Sequence, residues 1–190
     1  MKTDIVIAGV GGQGILSIAV VIGTAAVNNN LNIKQAEVHG MSQRGGAVYS
    51  HVRVSDKPIA SDLIPLCKAD LVLSVEPLEG LRYLPYLSPN GRLITNIHPF
   101  VNMGNYPDSQ VILAQLKSIK NCILIDAEEL ASTKASNMVM LGAAAPFINI
   151  EMQELEKAIT SLFKAKGDEI VAMNIKAFQS GYNATCETAY

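Results

Sequence analysis

The sequence predicts a Rossmann-like α/β fold, a three-layer sandwich in which helices cover both faces of a mostly parallel sheet. Short apolar runs typical of buried strands alternate along the chain with longer stretches of helix-forming residues. The first apolar run, 5–8, stops at a glycine cluster, and a helix-like segment follows from about Gly14 to Asn28. Strand, glycine turn and helix in this order are typical of the first unit of such a sheet.

Length and composition limit how the chain is organised. It has 190 residues, of which 49% are hydrophobic, and a net charge of -2. These values predict one globular domain, 1–190, or one domain with a helical appendage, and they argue against nucleic-acid binding through a basic surface. Two apolar stripes at helical spacing predict that 150–190 forms C-terminal helices. The three cysteines, at 67, 122 and 186, form no C-x-x-C pair, which argues against an iron–sulfur cluster or a zinc site and favours a reducing cytoplasm.

The stretch 5–27 contains no charged residue and is long enough to span a bilayer. Glycines in its middle would weaken a single helix by about 1 kcal/mol each relative to alanine. No signal-peptide cleavage pattern follows the stretch. The sequence therefore predicts no membrane association.

The glycine turn is the principal candidate for a binding site. Gly9, Gly11 and Gly14 match the pattern G-x-G-x-x-G, and Gly12 and Gln13 lie within it. Glycines let the backbone approach a ligand closely, and free N–H groups at the start of the following helix attract an anion. The alternative is a tight strand-to-helix turn that binds nothing.

An acidic residue follows the turn at a suggestive distance. Glu37 closes a second predicted strand, 33–38, roughly 20 residues after Gly14. In dinucleotide-binding folds an acid at this spacing accepts a hydrogen bond from a ribose hydroxyl. The equally weighted alternative is a carboxylate at a strand end that pairs with backbone N–H groups or with Arg44.

The segment 39–46 is a polar loop with three glycines between two strands. Loops at the carboxyl ends of parallel strands line the ligand crevice of α/β sheets, and a guanidinium fork suits phosphate or carboxylate. The candidate ligand contacts in this loop are Ser42, Gln43, Arg44 and Gly45. The alternative is a long solvated loop with an arginine on the surface.

The rest of the chain continues the alternation of strands and helices. Residues 47–54 alternate in polarity and predict a half-buried strand, and the turn after it predicts a hairpin with residues from Ile59. This pair would add an antiparallel edge to the sheet. Further strands are predicted at 71–75, 92–97 and 122–126, with a turn at 88–91, and helices from Pro77, at 108–119, at 137–145 and twice in the tail.

Three histidines and one aspartate are weaker candidates. His39 and His51 have no cysteine or carboxylate at metal-ligand spacing, so a core or surface role is favoured. His98 lies in a loop, where a capped loop histidine is favoured over a site residue. Asp126 precedes a helix and is equally a cap or a ligand. No catalytic and no metal-binding residue is predicted.

Three blocks of the sequence resemble one family. The blocks GVGGQG at 9–14, EVHGMSQRGG at 37–46 and VEPLE at 75–79 resemble the gamma-type domain of 2-oxoacid:ferredoxin oxidoreductases. The similarity extends over the full length, including 137–142 and 176–182. The glycine turn alone is weak support, whereas the second block at this distance behind it is strong.

The resemblance implies a small subunit of an oxygen-sensitive complex in anaerobic amino-acid catabolism. Such a complex oxidatively decarboxylates an aryl 2-oxoacid, such as indolepyruvate, with CoA to an aryl-acetyl-CoA, CO2 and reduced ferredoxin. Thiamine diphosphate and the iron–sulfur clusters are expected in the large (alpha) partner subunit, and the isolated chain is expected to be inactive. The small subunit is expected to close over the active site, where the glycine turn and Arg44 would hold phosphates of CoA.

Two other functions stay open at this stage. A free-standing NAD-binding oxidoreductase is supported by the glycine pattern and by Glu37, although too few residues remain for a substrate domain. A non-catalytic regulatory or scaffold subunit, binding a nucleotide or nothing, is the second alternative.

Overall fold

The computed structural model describes residues 1–39, 46–101 and 104–188. Within these ranges the chain forms one six-stranded sheet in the order β2-β3-β1-β4-β5-β6. The strands are β1 (Lys2–Val10), β2 (Asn32–His39), β3 (Ala47–Ser55), β4 (Ala69–Ser74), β5 (Leu87–Asn96) and β6 (Cys122–Ile125). The α-helices are α1 (Ile15–Asn28), α2 (Pro77–Arg82), α3 (Ser109–Lys117), α4 (Ala127–Leu130), α5 (Ser136–Ala144), α6 (Met152–Phe163) and α7 (Asp168–Thr188).

The sheet is mostly parallel, with an antiparallel part at one edge. Strands β1, β4, β5 and β6 run parallel, whereas β3 runs antiparallel to both of its neighbours, β1 and β2. The predicted fold class is thereby confirmed.

The predicted hairpin between β3 and residues from Ile59 is wrong. Strand β3 already has a hydrogen-bonded neighbour on each side, so it offers no free edge. The backbone of the following segment is bound by side chains of β3 instead: Arg53 donates to the carbonyls of Ser61 (3.0 Å) and Leu63 (3.1 Å), and Ile64 N–H donates to His51 Nδ1 (2.8 Å). Because these side chains stand on a face of the sheet, the segment packs over that face.

Helices cover both faces of the sheet, as the three-layer prediction requires. The alternating side chains of β1 divide between two cores: Ile5 and Ile7 join the core beneath α1, α5, α6 and α7, while Val6 and Ala8 join the core beneath α2 and α3. All four of these side chains are fully buried. This explains why the first strand reads as a continuous apolar run.

Strand β5 begins earlier than predicted. The sequence at 88–91 has turn chemistry, but it forms the irregular start of β5, where the pairing with β4 shifts register between Ala69 and Leu71. A Cβ on Gly91 would lie 2.7 Å from the carbonyl oxygen of Ala69, so the two strands approach closely at this point. A register irregularity thus takes the place of the predicted turn.

Helix α1 is uncharged and only partly buried. Its inner face packs into the core, but Leu16 and Val27 on its outer face are 52% and 60% exposed. Across the described ranges, no helix is both long enough and apolar enough to cross a membrane.

The fold places a crevice between β1 and β4. The helix after β1 covers one face of the sheet, and the helix after β4 covers the other. When the connections after two adjacent parallel strands go to opposite faces of the sheet, a gap opens between the carboxyl ends of those strands. This gap is where α/β proteins bind ligands.

Candidate functional site

The glycine turn connects Val10 of β1 to Ile15 of α1. Gln13 closes the turn, since its N–H donates to the Val10 carbonyl (3.1 Å) and its Oε1 accepts from Val10 N–H (2.8 Å). Gly12 and Gly14 have φ angles of +99° and +78°, a region that side chains disfavour. The predicted residue Gln13 therefore shapes the turn through its side-chain oxygen.

The other two predicted glycines of the turn have structural contacts. A Cβ on Gly9 would lie 2.3 Å from Cγ2 of Val75, so glycine lets the ends of β1 and β4 come together. Gly11 N–H donates to the carbonyl of Gly46 at 2.9 Å, which ties the turn to the end of the loop after β2. The glycine turn and the described end of that loop are thus neighbours.

A cleft of about 450 Å³ opens at the carboxyl ends of the parallel strands, beside the glycine turn. Each of the four parallel strands contributes to it through the residues that end or follow the strand. Its walls include Gly12, Gly14, Val75, Asn96, His98 and Glu128. The cleft therefore occupies the crevice expected between β1 and β4.

Two helix N-termini and two lysines meet at this cleft. Helix α1 starts after Gly14, and α5 continues from a short 3-10 turn, Thr133–Ala135; no side chain caps the start of either helix. The first N–H groups of such helices need acceptors from elsewhere and favour an anion. Lys134 and Lys166 also line the cleft, and the Lys166 ammonium lies over the ring of Phe163, 5.4 Å from its centroid. These groups make the cleft suited to phosphate.

His98 lies on the cleft wall and pairs with an acid. Its Nε2 is 2.7 Å from Oδ1 of Asp126, and its Nδ1 is 3.9 Å from Oε2 of Glu128. Asp126 also caps α4 by accepting from Glu129 N–H at 2.9 Å, so the predicted cap is confirmed. Partial burial tends to raise the pKa of Asp126, but the hydrogen bonds from Glu129 N–H and His98 outweigh it and lower that pKa.

A buried carboxylate supports the wall that follows β5. Glu76 caps α2 by accepting from Glu79 N–H at 2.8 Å, and its other oxygen accepts from Phe100 N–H at 3.3 Å and from the hydroxyl of Tyr106. Burial, followed by the hydrogen bond to Glu76, raises the pKa of Tyr106, which keeps its hydroxyl a donor. The contacts of Glu76 therefore fix Phe100, which lines the cleft.

Glu37 is not brought to the cleft. It lies on edge strand β2, and β3 intervenes between β2 and β1. The described lining of the cleft does not include it. The ribose contact predicted from its spacing assumes that the second strand lies beside the first, which is not the case here.

The predicted contacts Ser42, Gln43, Arg44 and Gly45 lie outside the described residues. Their roles stay predictions. The adjoining described residue, Gly46, contacts the glycine turn through Gly11 N–H.

Several residues of the cleft escaped the sequence reasoning. Lys134, Asn137 and Lys166 lie more than a hundred positions from the glycine turn, and no local pattern links them to it. Asn137 Nδ2 donates to the Gly14 carbonyl at 3.3 Å, so it joins α5 to the turn. The one available signal was the block 137–142, which belongs to the family resemblance.

His51 and His39 are the two histidines for which a core or surface role was favoured. His51 is 3% exposed, which confirms a core role, and the side chain of His39 lies outside the described part of the chain. In the ranges that the structure describes, no group of three or more His, Cys, Asp or Glu residues is arranged to hold a metal ion.

Comparison with known proteins gives consistent matches along the chain. The family model described as pyruvate ferredoxin/flavodoxin oxidoreductase matches residues 4–184. The indolepyruvate oxidoreductase subunit IorB of Archaeoglobus fulgidus is 37% identical, with 96% of this chain and 95% of that protein covered. The 2-oxoglutarate synthase subunit KorC of Methanocaldococcus jannaschii is 31% identical, with 98% and 96% covered.

Solved structures share the fold at lower sequence identity. A 2-oxoglutarate:ferredoxin oxidoreductase from Magnetococcus marinus, with 2-oxoglutarate, coenzyme A and succinyl-CoA bound, has a TM-score of 0.77 at 21% identity; the match covers 98% of this chain and 31% of that one. This chain thus spans about a third of that longer protein. The pyruvate oxidoreductase subunit PORC of Thermotoga maritima has a TM-score of 0.72 at 20% identity, and 96% of each chain is covered.

Proposed function

The chain belongs to the pyruvate ferredoxin/flavodoxin oxidoreductase family and is a small subunit of a 2-oxoacid:ferredoxin oxidoreductase, and we propose that its complex oxidises indolepyruvate or another aryl 2-oxoacid. The proposed products are an aryl-acetyl-CoA, CO2 and reduced ferredoxin. Relatives named as indolepyruvate oxidoreductase subunits are up to 37% identical to the chain, against 31% for the 2-oxoglutarate synthase subunit of M. jannaschii. This difference in identity supports the aryl substrate.

A larger partner subunit would carry the redox chemistry. Iron–sulfur clusters of the common kind need four cysteine ligands, and the whole sequence has three cysteines. We therefore place the clusters and thiamine diphosphate in a large (alpha) subunit, which passes electrons to ferredoxin. The scattered free thiols also fit a cytoplasmic location.

The cleft beside the glycine turn is the proposed site for the phosphates of CoA. The observation that carries this assignment is the meeting of two uncapped helix N-termini with Lys134 and Lys166 in one cleft. Backbone N–H groups of the turn would contact one phosphate, and a lysine would supply the charge for another. Arg44, predicted from the sequence, would add a guanidinium from the adjoining loop.

The two alternative functions have less support. An NAD-binding oxidoreductase would use Glu37 on the ribose, but the inserted strand β3 separates that residue from the cleft. A purely structural subunit would have no need for the uncapped helix N-termini and lysines at one cleft. NADH binding by the chain, or full activity after every change in the cleft, would favour these alternatives.

The test measures the apparent KM for CoA in the anaerobically purified complex, with 2-oxoacid-dependent dye reduction as the assay. Lys134→Ala and Lys166→Ala should each raise that KM about 10-fold, because each removes a charged hydrogen bond to phosphate. Lys117→Ala is the matched control, since Lys117 lies on α3 in the opposite layer.

Two outcomes of this test are informative. Raised KM values in the cleft variants and an unchanged value in the control would support the CoA site, and Arg44→Ala would then test the loop. Unchanged KM values in both lysine variants would refute it. Comparing indolepyruvate, phenylpyruvate and 2-oxoglutarate as substrates in the same assay tests the aryl preference directly.

A further inference from the structure

The cleft has one aromatic wall that the phosphate assignment leaves unused. The side chain of Phe100 lines the cleft and is 43% exposed, although it is a large apolar group. The lining of the cleft also includes the ammonium groups of Lys134 and Lys166 and one carboxylate, that of Glu128. A cationic region with an exposed aromatic ring beside it is the arrangement that recognises a nucleotide, since every base has a π-face that stacks on such a ring.

Phe100 is held in place by a buried hydrogen-bond network. Glu76 is 1% exposed, and its carboxylate accepts from Phe100 N–H, from the Tyr106 hydroxyl and from Glu79 N–H. Burying a carboxylate is costly unless hydrogen-bond donors surround it. The loss of any one of these hydrogen bonds would therefore be unfavourable, which holds the three donors in place. The network joins the start of α2 to the backbone of Phe100 and to the hydroxyl of Tyr106.

The backbone of the same region is fixed by a second buried amide. Asn96, 5% exposed at the end of β5, donates from Nδ2 to the Val75 carbonyl at 3.5 Å and accepts at Oδ1 from Ala127 N–H at 3.2 Å. It therefore links the carboxyl ends of β4, β5 and β6 beneath the cleft. Phe100 stands on a part of the protein that is fixed on several sides, which a stacking surface requires.

We propose that Phe100 is the surface on which the adenine ring of CoA stacks, and that Glu76 and Tyr106 are positioning residues that hold it there. The proposal rests on the proposed function of the cleft as the CoA phosphate site. It adds recognition of the base, which makes Phe100 a specificity-determining residue. It also gives the block 75–79 a role, because Glu76 is one of its two buried acids.

The experiment uses two inhibitors of the assembled complex that compete with CoA. Adenosine 3′,5′-bisphosphate carries the base and phosphates, whereas inorganic pyrophosphate carries phosphates alone. In Phe100→Ala, the inhibition constant of the bisphosphate should rise about 5- to 100-fold, the range for loss of one base–aromatic stack. The inhibition constant of pyrophosphate should stay unchanged, and Phe100→Trp should restore tight binding of the bisphosphate.

The positioning role is tested by removing one hydroxyl. Tyr106→Phe keeps the ring but deletes the donor to Glu76, and the apparent KM for CoA should rise a few-fold while kcat stays unchanged. The matched control is Tyr86→Phe, which removes a hydroxyl from the same layer of the protein away from the cleft. An equal rise of KM in both variants, or a fall of kcat with unchanged KM in Tyr106→Phe, would refute the positioning role.

The outcomes separate this inference from the function on which it rests. If Phe100→Ala leaves bisphosphate inhibition unchanged while Lys134→Ala weakens pyrophosphate, the stacking proposal is wrong and the phosphate site stands. If Phe100→Ala weakens both inhibitors equally, the ring only supports the wall, and the proposal is also wrong. If neither compound competes with CoA in the unaltered complex, both assignments fail.

Discussion

Two regions of this protein depend on glycine for different physical reasons. Where α5 crosses α7, a Cβ on Gly142 would lie 1.9 Å from the carbonyl oxygen of Phe178, and a Cβ on Gly181 would lie 1.9 Å from that of Val139. In the glycine turn, a Cβ on Gly12 would meet no atom of the described residues within 4 Å, but φ is +99°. The helix crossing needs glycine for space, whereas Gly12 of the turn needs to be glycine because of its backbone conformation.

The difference shows how to distinguish packing glycines from ligand-site glycines. At the helix crossing, the backbone of the facing helix occupies the space where a Cβ would lie, so neither a side chain nor a ligand fits there. At the turn the missing Cβ leaves open space at the cleft, which is available to a ligand. Gly14 combines both, with φ of +78° and Asn137 Nδ2 only 2.4 Å from its Cβ position.

The largest expected effect comes from Gly142→Ala. Alanine improves helix propensity by about 1 kcal/mol, but backbone atoms at 1.9 Å cannot move aside, so α5 and α7 must separate. We expect a net loss of about 2 kcal/mol or more in the free energy of unfolding, measured by urea denaturation. Gly104→Ala is the control, because its Cβ would meet no described atom within 4 Å, and it should change stability by less than about 0.5 kcal/mol.

A smaller loss is expected for Gly14→Ala, and it should depend on Asn137. The positive φ costs about 1 kcal/mol for alanine, and the contact with the Asn137 amide adds to it. In an Asn137→Ala background the contact is gone, so the same substitution should cost about 1 kcal/mol less. Equal costs in both backgrounds, measured by a double-mutant cycle, would show that conformation alone requires glycine here.

Gly12→Ala should affect binding more than stability. Its positive φ predicts a loss of about 1 kcal/mol in the free energy of unfolding, without any steric contact. A methyl group in the open space at the turn would oppose a bound phosphate, so we expect the apparent KM for CoA to rise at least about 10-fold. If Gly12→Ala lowers the free energy of unfolding but leaves the apparent KM for CoA unchanged, this glycine has only a structural role and the prediction is wrong.

The smallest expected effect concerns His51, a polar residue of the interior rather than of the cleft. Burial, followed by the nearby charge of Arg53, lowers the pKa of His51 below its ordinary value of 6.5. His51 therefore binds a proton more readily in the unfolded chain than in the folded one. The contribution of neutral His51 to the free energy of unfolding is present above pH 6.5 and is lost as the pH falls below it. In His51→Gln, urea denaturation from pH 7.5 to 5.5 should show a shallower decline than in the parent chain; identical slopes would contradict the assignment.

The elements that the sequence predicted well are those with a local signal. The period-two pattern of 47–54, the apolar run of β1 and the stripes of the tail helices all reflect which face of one element is buried. The glycine turn was predicted for the same reason, since strand, glycines and helix are adjacent in the chain. Boundaries moved by a few residues, and the start of β5 moved most.

The cleft itself was only half predictable. One wall is the glycine turn, but Lys134, Lys166 and Phe100 reach it from distant parts of the chain. Glu37 shows the limit of spacing along the chain, because its distance from Gly14 fits a ribose contact but β3 lies between its strand and β1. Spacing along a chain measures proximity only when the order of the strands is known.

The sequence by itself determined most of the strands and helices, the α/β class, the position of the glycine turn and, through its resemblance, the family. These follow from side-chain periodicity, backbone conformation and residue types that are read locally. Only the tertiary structure decided that β3 pairs between β2 and β1, that α5 and α7 cross backbone to backbone, and that Glu76 holds Phe100 beside the cleft. Those contacts join residues far apart in the chain, and their free energy depends on packing partners that no local pattern specifies.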